Sequence, residues 1–390
     1  MMKIESQAMK TFRSINNAYP SSSYVDNWKK QDKKVMGWLC SYVPEEIMYA
    51  ADIFPVRLSG YHSQNSLTDA TLQLSEGICT FARSCLQLIN DKGMNYIDGF
   101  VGANCCDHTR RLTEFLDYHK TAAPFNIIIN PPLKMDESAV KFYELELQNF
   151  RKELEDYIEH PISNEALWDA IELHNETRDL IRRLYLLRKK KPSPILGSDV
   201  IEILNASFIM PKPDFNKLMS KLLSELDEAS GESSHDFPRL MLIGSPMTDN
   251  ALVKDIEKLG GQVVVEEMCT TGRHYWNDVL VDRSLDPIEA LAKRYLTNFP
   301  CARMVPVDIR MNTLVALAKE WNVQGVISAN VRFCTPYIYD VPILRDVMEE
   351  EGYPLLELNM EYNEGGKGQF ETKIQAFFEM LDTKGGYVHA

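Results

Sequence analysis

At 390 residues the chain is long for a single core, so two or three domains are expected. Its 45% apolar and 25% charged residues suit a globular protein, and its formal net charge of −14 argues against nucleic acid, whose phosphates require clustered Lys and Arg. No apolar core of signal-peptide length opens the sequence and no apolar run reaches a membrane span, so a cytoplasmic protein is expected.

Eight cysteines in a reducing compartment point to metal ligation or chemistry rather than disulfides. There is no C-x-x-C pair and no G-x-x-x-x-G-K-[ST] phosphate loop. Residues 1–35 are polar and read as a helical lead-in. Next, G-W-L-C-S-Y-V-P-E-E places Pro44, Glu45 and Glu46 in the first turn of a helix, with Cys40 just before it. I-F-P-V-R-L-S-G, ending at Gly60, reads as a strand and turn.

G-I-C-T-F-A-R-S-C-L-Q-L-I reads as a helix. Cys79 and Cys85 are six residues apart, roughly 240° around such a helix, so at most one faces a shared site. The stretch from Ile97 to Arg111 gives a short buried strand, then Cys105 and Cys106, then a helix. A thiol at a helix N-terminus sits near free N–H groups that favour the thiolate metals need. Adjacent side chains diverge, so one member of the Cys105–Cys106 pair is expected to face a cleft. Phe125 to Asn130 forms another strand, stopped by Pro131 and Pro132.

From Asp136 to Ser230 apolar residues recur at helical spacing. The basic run Arg182, Arg183, Arg188, Lys189, Lys190 and Lys191 reads as a solvated helix end, with docking of an acidic partner or a nucleotide phosphate as the alternative. His174 in that helix reads as a surface or packing residue. Gly231 to Asp236 is a polar break. The expected division is 1–135, an N-terminal α/β lobe; 136–235, a helical segment; and 236–390, a C-terminal α/β lobe.

In the last part strands and helices alternate again. Cys269 follows the strand G-Q-V-V-V-E-E, and Cys301 follows a helix through Ile288–Leu296. Cys334 follows the strand V-Q-G-V-I-S-A-N. L-L-E-L-N-M is a last strand, G-G-K-G-Q a glycine-rich turn, and an amphipathic helix closes the chain. This rhythm implies an α/β fold with parallel sheets and right-handed crossovers. Cys106, Cys269 and Cys334 fall after strands, and Cys40, Cys79 and Cys301 fall in turns or at helix boundaries. Two lobes could therefore present thiols to one cleft, in sets of three or four that suit an iron–sulfur cubane or zinc. For each cysteine taken alone, a place in the core is the competing reading.

The segments C-S-Y-V-P-E-E-I-M-Y-A-A-D-I-F-P-V-R-L-S-G, C-T-F-A-R-S, N-C-C-D-H-T-R-R-L, E-E-M-C-T-T-G-R, F-P-C-A-R, F-C-T-P-Y and G-Q-F-E-T-K-I-Q-A-F-F-E-M-L, in that order, resemble the 2-hydroxyacyl-CoA dehydratase and benzoyl-CoA reductase family. The resemblance implies two Rossmann-like (flavodoxin-like) lobes with a helical insertion and iron–sulfur clusters in the cleft. Cys79, Cys106 and Cys334 match the three cysteines that hold one [4Fe-4S] cubane in ordinary dehydratase subunits. Cys40, Cys269 and Cys301 complete a six-cysteine pattern like that of the double-cubane branch, in which a sulfide joins two cubanes as [8Fe-9S]. Cys85 and Cys105 fall outside the pattern. Where the family carries a Thr-Arg pair, this chain has Thr372-Lys373, and Lys cannot make the two-pronged fork of Arg.

The function so implied is ATP-dependent, low-potential electron transfer to a small substrate by a homodimer. A separate dimeric ATPase with its own iron–sulfur cluster would act as activator. One alternative is a subunit of a 2-hydroxyacyl-CoA dehydratase or benzoyl-CoA reductase, with a single [4Fe-4S] cluster and a homologous partner subunit. Further alternatives are a non-catalytic electron carrier and a structural zinc protein. Glu45, Glu46, Asp107 and His108 are near enough in sequence to donate protons, although a helix-cap or solvated-surface role is the leading reading of each.

Overall fold

Two stretches of the chain, each rich in Val, Ile and Phe at strand spacing, fold into two separate all-parallel sheets. The computed structural model describes residues 6–60, 67–119, 123–191, 193–228, 237–362, 368 and 370–383. In the first half, β1 (Val35–Trp38), β2 (Phe54–Arg57), β3 (Gly99–Ala103) and β4 (Phe125–Ile129) pair in the order β2-β1-β3-β4. In the second, β5 (Arg239–Gly244), β6 (Gln262–Glu267), β7 (Gly325–Val331) and β8 (Leu355–Met360) repeat that order as β6-β5-β7-β8. Each lobe thus reverses its strand order between its first and third strands. Open sheets bind ligands beyond the carboxyl ends of the strands at such a reversal.

Helices α1 (Gln7–Ala18), α2 (Ser23–Lys29), α3 (Glu45–Ala50), α4 (Thr68–Gln73), α5 (Thr80–Asn90) and α6 (Asp107–His119) accompany the first sheet. Four helices follow: α7 (Glu137–Ile158), α8 (Asn164–Leu187), α9 (Gly197–Ser207) and α10 (Lys212–Glu228). The second sheet carries α11 (Ala251–Lys258), α12 (Pro287–Thr297), α13 (Val307–Glu320), α14 (Thr335–Glu350) and α15 (Glu371–Thr383). The helix starts follow local chemistry. Asp136, Ser163 and Asp286 accept from the N–H groups of Ala139, Ala166 and Ile288, satisfying donors that the first turn leaves open. The break expected at Gly231–Asp236 and most of the glycine-rich turn at 365–369 lie outside the described residues.

Strands β1, β2, β3, β5, β6 and β7 are buried throughout, because helices cover both faces of each sheet. Alternation divides β5 between two cores. Met241 and Ile243 join the larger one, which runs through the first sheet and the four middle helices. Leu240 and Leu242 join the smaller one, beneath α11 and α15. The middle helices are thereby part of the packing between lobes: α7 packs on α12, α8 on α3, and α9 on α1 and β6. Among the described residues no helix is long and apolar enough to cross a membrane.

The basic run at the end of α8 is not uniformly solvated. Arg188 is fully buried and forms an ion pair with Glu266 of β6, with a further hydrogen bond to the Val263 carbonyl at 2.6 Å. It anchors the helix end to the second sheet. Lys189 and Lys190 make the exposed ion pairs expected of a helix end. His174 is a packing residue, buried with its ring edge-on to Tyr49 at 5.5 Å.

Candidate metal centre

A cavity of about 80 Å³ lies between the carboxyl edges of the two sheets. All six cysteines of the expected ligand set line it: Cys40, Cys79, Cys106, Cys269, Cys301 and Cys334. The fold delivers them by one device, a loop that leaves a strand end or enters a helix. Cys40 follows β1, Cys269 follows β6, and Cys301 joins α12 to α13. Cys79 and Cys334 are the residues immediately before α5 and α14, and Cys106 precedes α6. The Cys106 thiol faces the Thr109 N–H at 3.4 Å and the Thr109 hydroxyl at 3.3 Å, in the first turn of that helix.

Two positions in these loops are strained. Cys40 has φ of +93° and Phe333, beside Cys334, has φ of +64°, in the left-handed region that non-glycine residues avoid. Each costs about 1–3 kcal/mol, and such strain clusters where function fixes the backbone.

The thiols act on one another across the cavity. Burial pushes the Cys334 thiol well above its ordinary value, and the nearby Cys79 and Cys106 add to the rise. Cys79 is pushed up to about 12, first by burial, with Cys106 again contributing. Cys269 is raised by burial and by Cys301, and Cys40 and Cys301 both act on Tyr42. The two sets that the family resemblance implies, Cys79, Cys106 and Cys334 on one side and Cys40, Cys269 and Cys301 on the other, each draw residues from both lobes. Cys85 is fully buried on α5 and is absent from the lining. Cys105 departs from the expected divergence. It lines the cavity beside Cys106, within hydrogen-bonding reach of both Cys106 and Cys40.

Three arginines that sequence reasoning assigned no role also line the cavity. Arg57, at the end of β2, donates to the Cys269 carbonyl at 2.8 Å and to its Sγ at 3.5 Å. Its guanidinium is held over the rings of Trp38 and Phe208. Arg273 is ion-paired with Glu267 and donates to the Tyr337 hydroxyl at 2.7 Å. Arg303 donates to the carbonyls of Pro131 and Pro132. Nη1 of Arg273 and Nε of Arg303 are buried with no hydrogen-bond partner. A signal existed in the sequence: Arg273 and Arg303 stand four and two residues after candidate ligands, in M-C-T-T-G-R and C-A-R.

Buried cationic donors without acceptors, facing six thiols, fit an anionic group rich in sulfur. Among the described residues no three metal-binding side chains stand close enough to clasp a single ion.

Glu45 and Glu46 are not solvated helix-cap residues. Both are buried, at the point where the first lobe meets the middle helices and the second lobe. Burial pushes the Glu45 carboxyl up, but Lys212 and His274 outweigh it and hold it well below the usual carboxylate range. Lys212 sits at 2.9 Å and His274 at 3.0 Å. Burial acts on Glu46 likewise, yet Arg178 brings it down to about 2, and the Tyr295 hydroxyl donates to it at 2.7 Å. These acids are locked structural anions, poorly suited to giving up protons. Asp107 is exposed and pairs with Arg110, as a surface residue does. His108 alone of the four lines the cavity, and burial keeps its ring neutral by lowering its pKa. Lys373 is exposed on α15.

Known proteins match most of the chain. The chain is 27% identical over 92% of its length to a protein of Escherichia coli (strain K12) that carries the name of a dehydratase subunit, YjiM, of which 94% is covered. It is 24% identical to the beta subunit of (R)-2-hydroxyglutaryl-CoA dehydratase from Acidaminococcus fermentans, over 91% of this chain and 94% of that one. It is 25% identical to one of the subunits of benzoyl-CoA reductase from Thauera aromatica, over 87% and 89% respectively. The family described as 2-hydroxyglutaryl-CoA dehydratase, D-component, matches residues 40–381, a span that takes in every cysteine of the cavity and every strand but β1. The chain is a member of that 2-hydroxyacyl-CoA dehydratase and benzoyl-CoA reductase family.

Proposed function

We propose that the chain is the electron-delivering component of a low-potential reductase and holds a double-cubane [8Fe-9S] cofactor through Cys40, Cys79, Cys106, Cys269, Cys301 and Cys334. The observation that supports this reading is the convergence of all six expected ligand thiols, with Cys105 beside them, on one cavity. When bound, such a cofactor would supply one-electron chemistry at low potential; ligation, burial and access are what the protein adds. The thiols bind it as thiolates, and the raised pKa values of Cys79 and Cys334 mean that loading releases protons there. The arginines supply positive charge and N–H donors, and the neutral His108 ring offers its second nitrogen. Pro246, Pro336, Tyr337 and Phe81 give the wall apolar surface that limits water.

In this reading a separate ATP-dependent activator with its own iron–sulfur cluster provides electrons, since the chain has no phosphate loop. The net charge of −14 would steer a basic face of that partner and make the encounter weaken with salt. The chain would work as a homodimer in the cytoplasm. Anaerobic purification with iron and sulfide analysis is the test. About eight irons per chain are expected, and about four would replace this reading with a single cubane.

The second reading is one subunit of an acyl-CoA dehydratase or aryl-CoA reductase with a homologous partner. It is favoured by the names of the relatives, each of which is one subunit of a larger dehydratase or reductase. Obligate co-purification with a second, related chain and dependence on an acyl-CoA would select it. A pure electron carrier would turn over no substrate with activator, ATP and reductant all present.

A further inference from the structure

The two thiol groups differ in the charge around them. Cys269 receives a hydrogen bond from Arg57 at its Sγ and another at its carbonyl, and Arg273 also acts on it. Arg273 acts on Cys301 as well, and Arg303 lies two residues beyond Cys301. Three guanidiniums line the cavity; Arg57 and Arg273 act on Cys269 or Cys301, and Arg303 acts on Cys105, which reaches Cys40. The other group is met by neutral donors. Cys79 faces the N–H groups of Phe81 and Ala82, Cys106 faces Thr109, and Cys334 faces the Ser245 hydroxyl and the Tyr337 N–H. Arg83 acts on Cys79 more weakly, is absent from the lining, and spends its donors on Ile78 and Thr71.

We infer that these arginines make the two halves of the cofactor unequal, so that the first electron rests on the half held by Cys40, Cys269 and Cys301, with Arg57 as the principal positioning residue. The inference rests on the six cysteines being the ligands. Adding an electron makes the cofactor more negative, and nearby positive charge and N–H donors to sulfur stabilise that state more than the oxidised one, raising the potential. The effect is large in a buried site, where water screens little. Arg57 is 3% exposed. The half surrounded by neutral donors then has the lower potential and fills second.

The test is a redox titration of the anaerobically purified holoprotein with titanium(III) citrate, each titanium giving up one electron, followed by electron paramagnetic resonance. Arg57→Met keeps an unbranched apolar stem while removing the guanidinium that lies over Trp38 and Phe208. With iron content unchanged at about eight, the first reduction should become at least tenfold less favourable, about 59 mV for one electron. The second reduction should move much less. Arg57→Lys, which keeps the charge but loses the fork, should shift the first step less than Arg57→Met does. Arg303→Gln, on a side chain with no buried acid partner, is the independent variant should Arg57→Met fail to fold, and it should move the first step in the same direction. Ser245→Ala should move the second step and leave the first. Eight irons with an unmoved first potential in the arginine variants overturns the inference alone. About four irons in the unaltered protein removes the two-half reading beneath it, and the inference with it.

Discussion

The backbone N–H of Cys79 donates to Nδ1 of His108 at 3.2 Å, which ties the start of α5 to the first turn of α6. Two candidate ligands, Cys79 and Cys106, are set in register by that bond, and it fixes the ring proton on Nε2. Replacing His108 by Ala leaves a buried N–H without its acceptor, at a cost of about 1–3 kcal/mol. His108→Ala should melt at a lower temperature and release iron to a chelator faster than the unaltered protein. Equal chelation rates would mean the bond does not position the ligands.

The cysteine variants separate ligands from neighbours. Cys85→Ala should keep its full iron content, because Cys85 lies in the core away from the cavity. Cys106→Ser and Cys334→Ser should lose iron. Cys105→Ser should retain it, since the six-cysteine set is complete without Cys105. Iron lost from Cys105→Ser and kept in Cys106→Ser would reverse the choice within the pair.

Gly102 on β3 permits close packing of α6. A Cβ built there would lie 2.0 Å from Oγ1 and 2.6 Å from Cγ2 of Thr113. Because both contacts are to a stiff β-branched side chain, Gly102→Ala must push α6 away, and Cys106 with it. Loss of stability of about 1–3 kcal/mol is expected, together with reduced iron loading. Restoring a small side chain across the contact, as Gly102→Ala with Thr113→Ser, should recover part of both. If the single variant loaded iron normally, α6 would not be what places Cys106.

Stability should fall as pH drops below about 6.5. His174 and His274 are held neutral by burial, at about 4 and about 3, against an ordinary value of 6.5. Between those values the unfolded chain binds more protons than the folded one, so acid favours unfolding. Glu46 adds the same sign lower down, its folded value of about 2 lying below the ordinary 4.5. Urea melts of the iron-free protein should lose up to about 1.4 kcal/mol per pH unit for each histidine. His274→Gln, which can still donate to Glu45, should show a shallower slope. A slope identical to that of the unaltered chain would exclude His274 from the acid response.

The alternation of strands and helices was legible in the sequence because each buried run is short and each helix amphipathic. Val35–Trp38 and Gly325–Val331 announce themselves as fully covered strands. The six cavity cysteines were legible through their placement at strand ends and helix starts. What stayed hidden were long-range pairings. Glu45 and Glu46 look like any acidic first turn until Lys212, His274 and Arg178 arrive from more than a hundred residues away. Arg188 resembles its solvated neighbours until Glu266 is placed beneath it. Cys105 was misread because divergence of adjacent side chains holds within regular helices and strands, whereas Cys105 and Cys106 occupy a turn.

Each thiol group draws its members from both lobes, and this makes any cofactor held there a rivet rather than cargo. Many two-lobed enzymes admit substrate by swinging the lobes apart about a hinge. With the proposed ligands engaged, such a swing would tear metal–sulfur bonds in both sets at once, and the buried Glu45 carboxylate would lose His274 with it. Breathing between the lobes is therefore closed to the loaded protein. Under the proposed function, a substrate must be small enough to pass through the mouth that already exists, and a larger one must receive its electrons from outside.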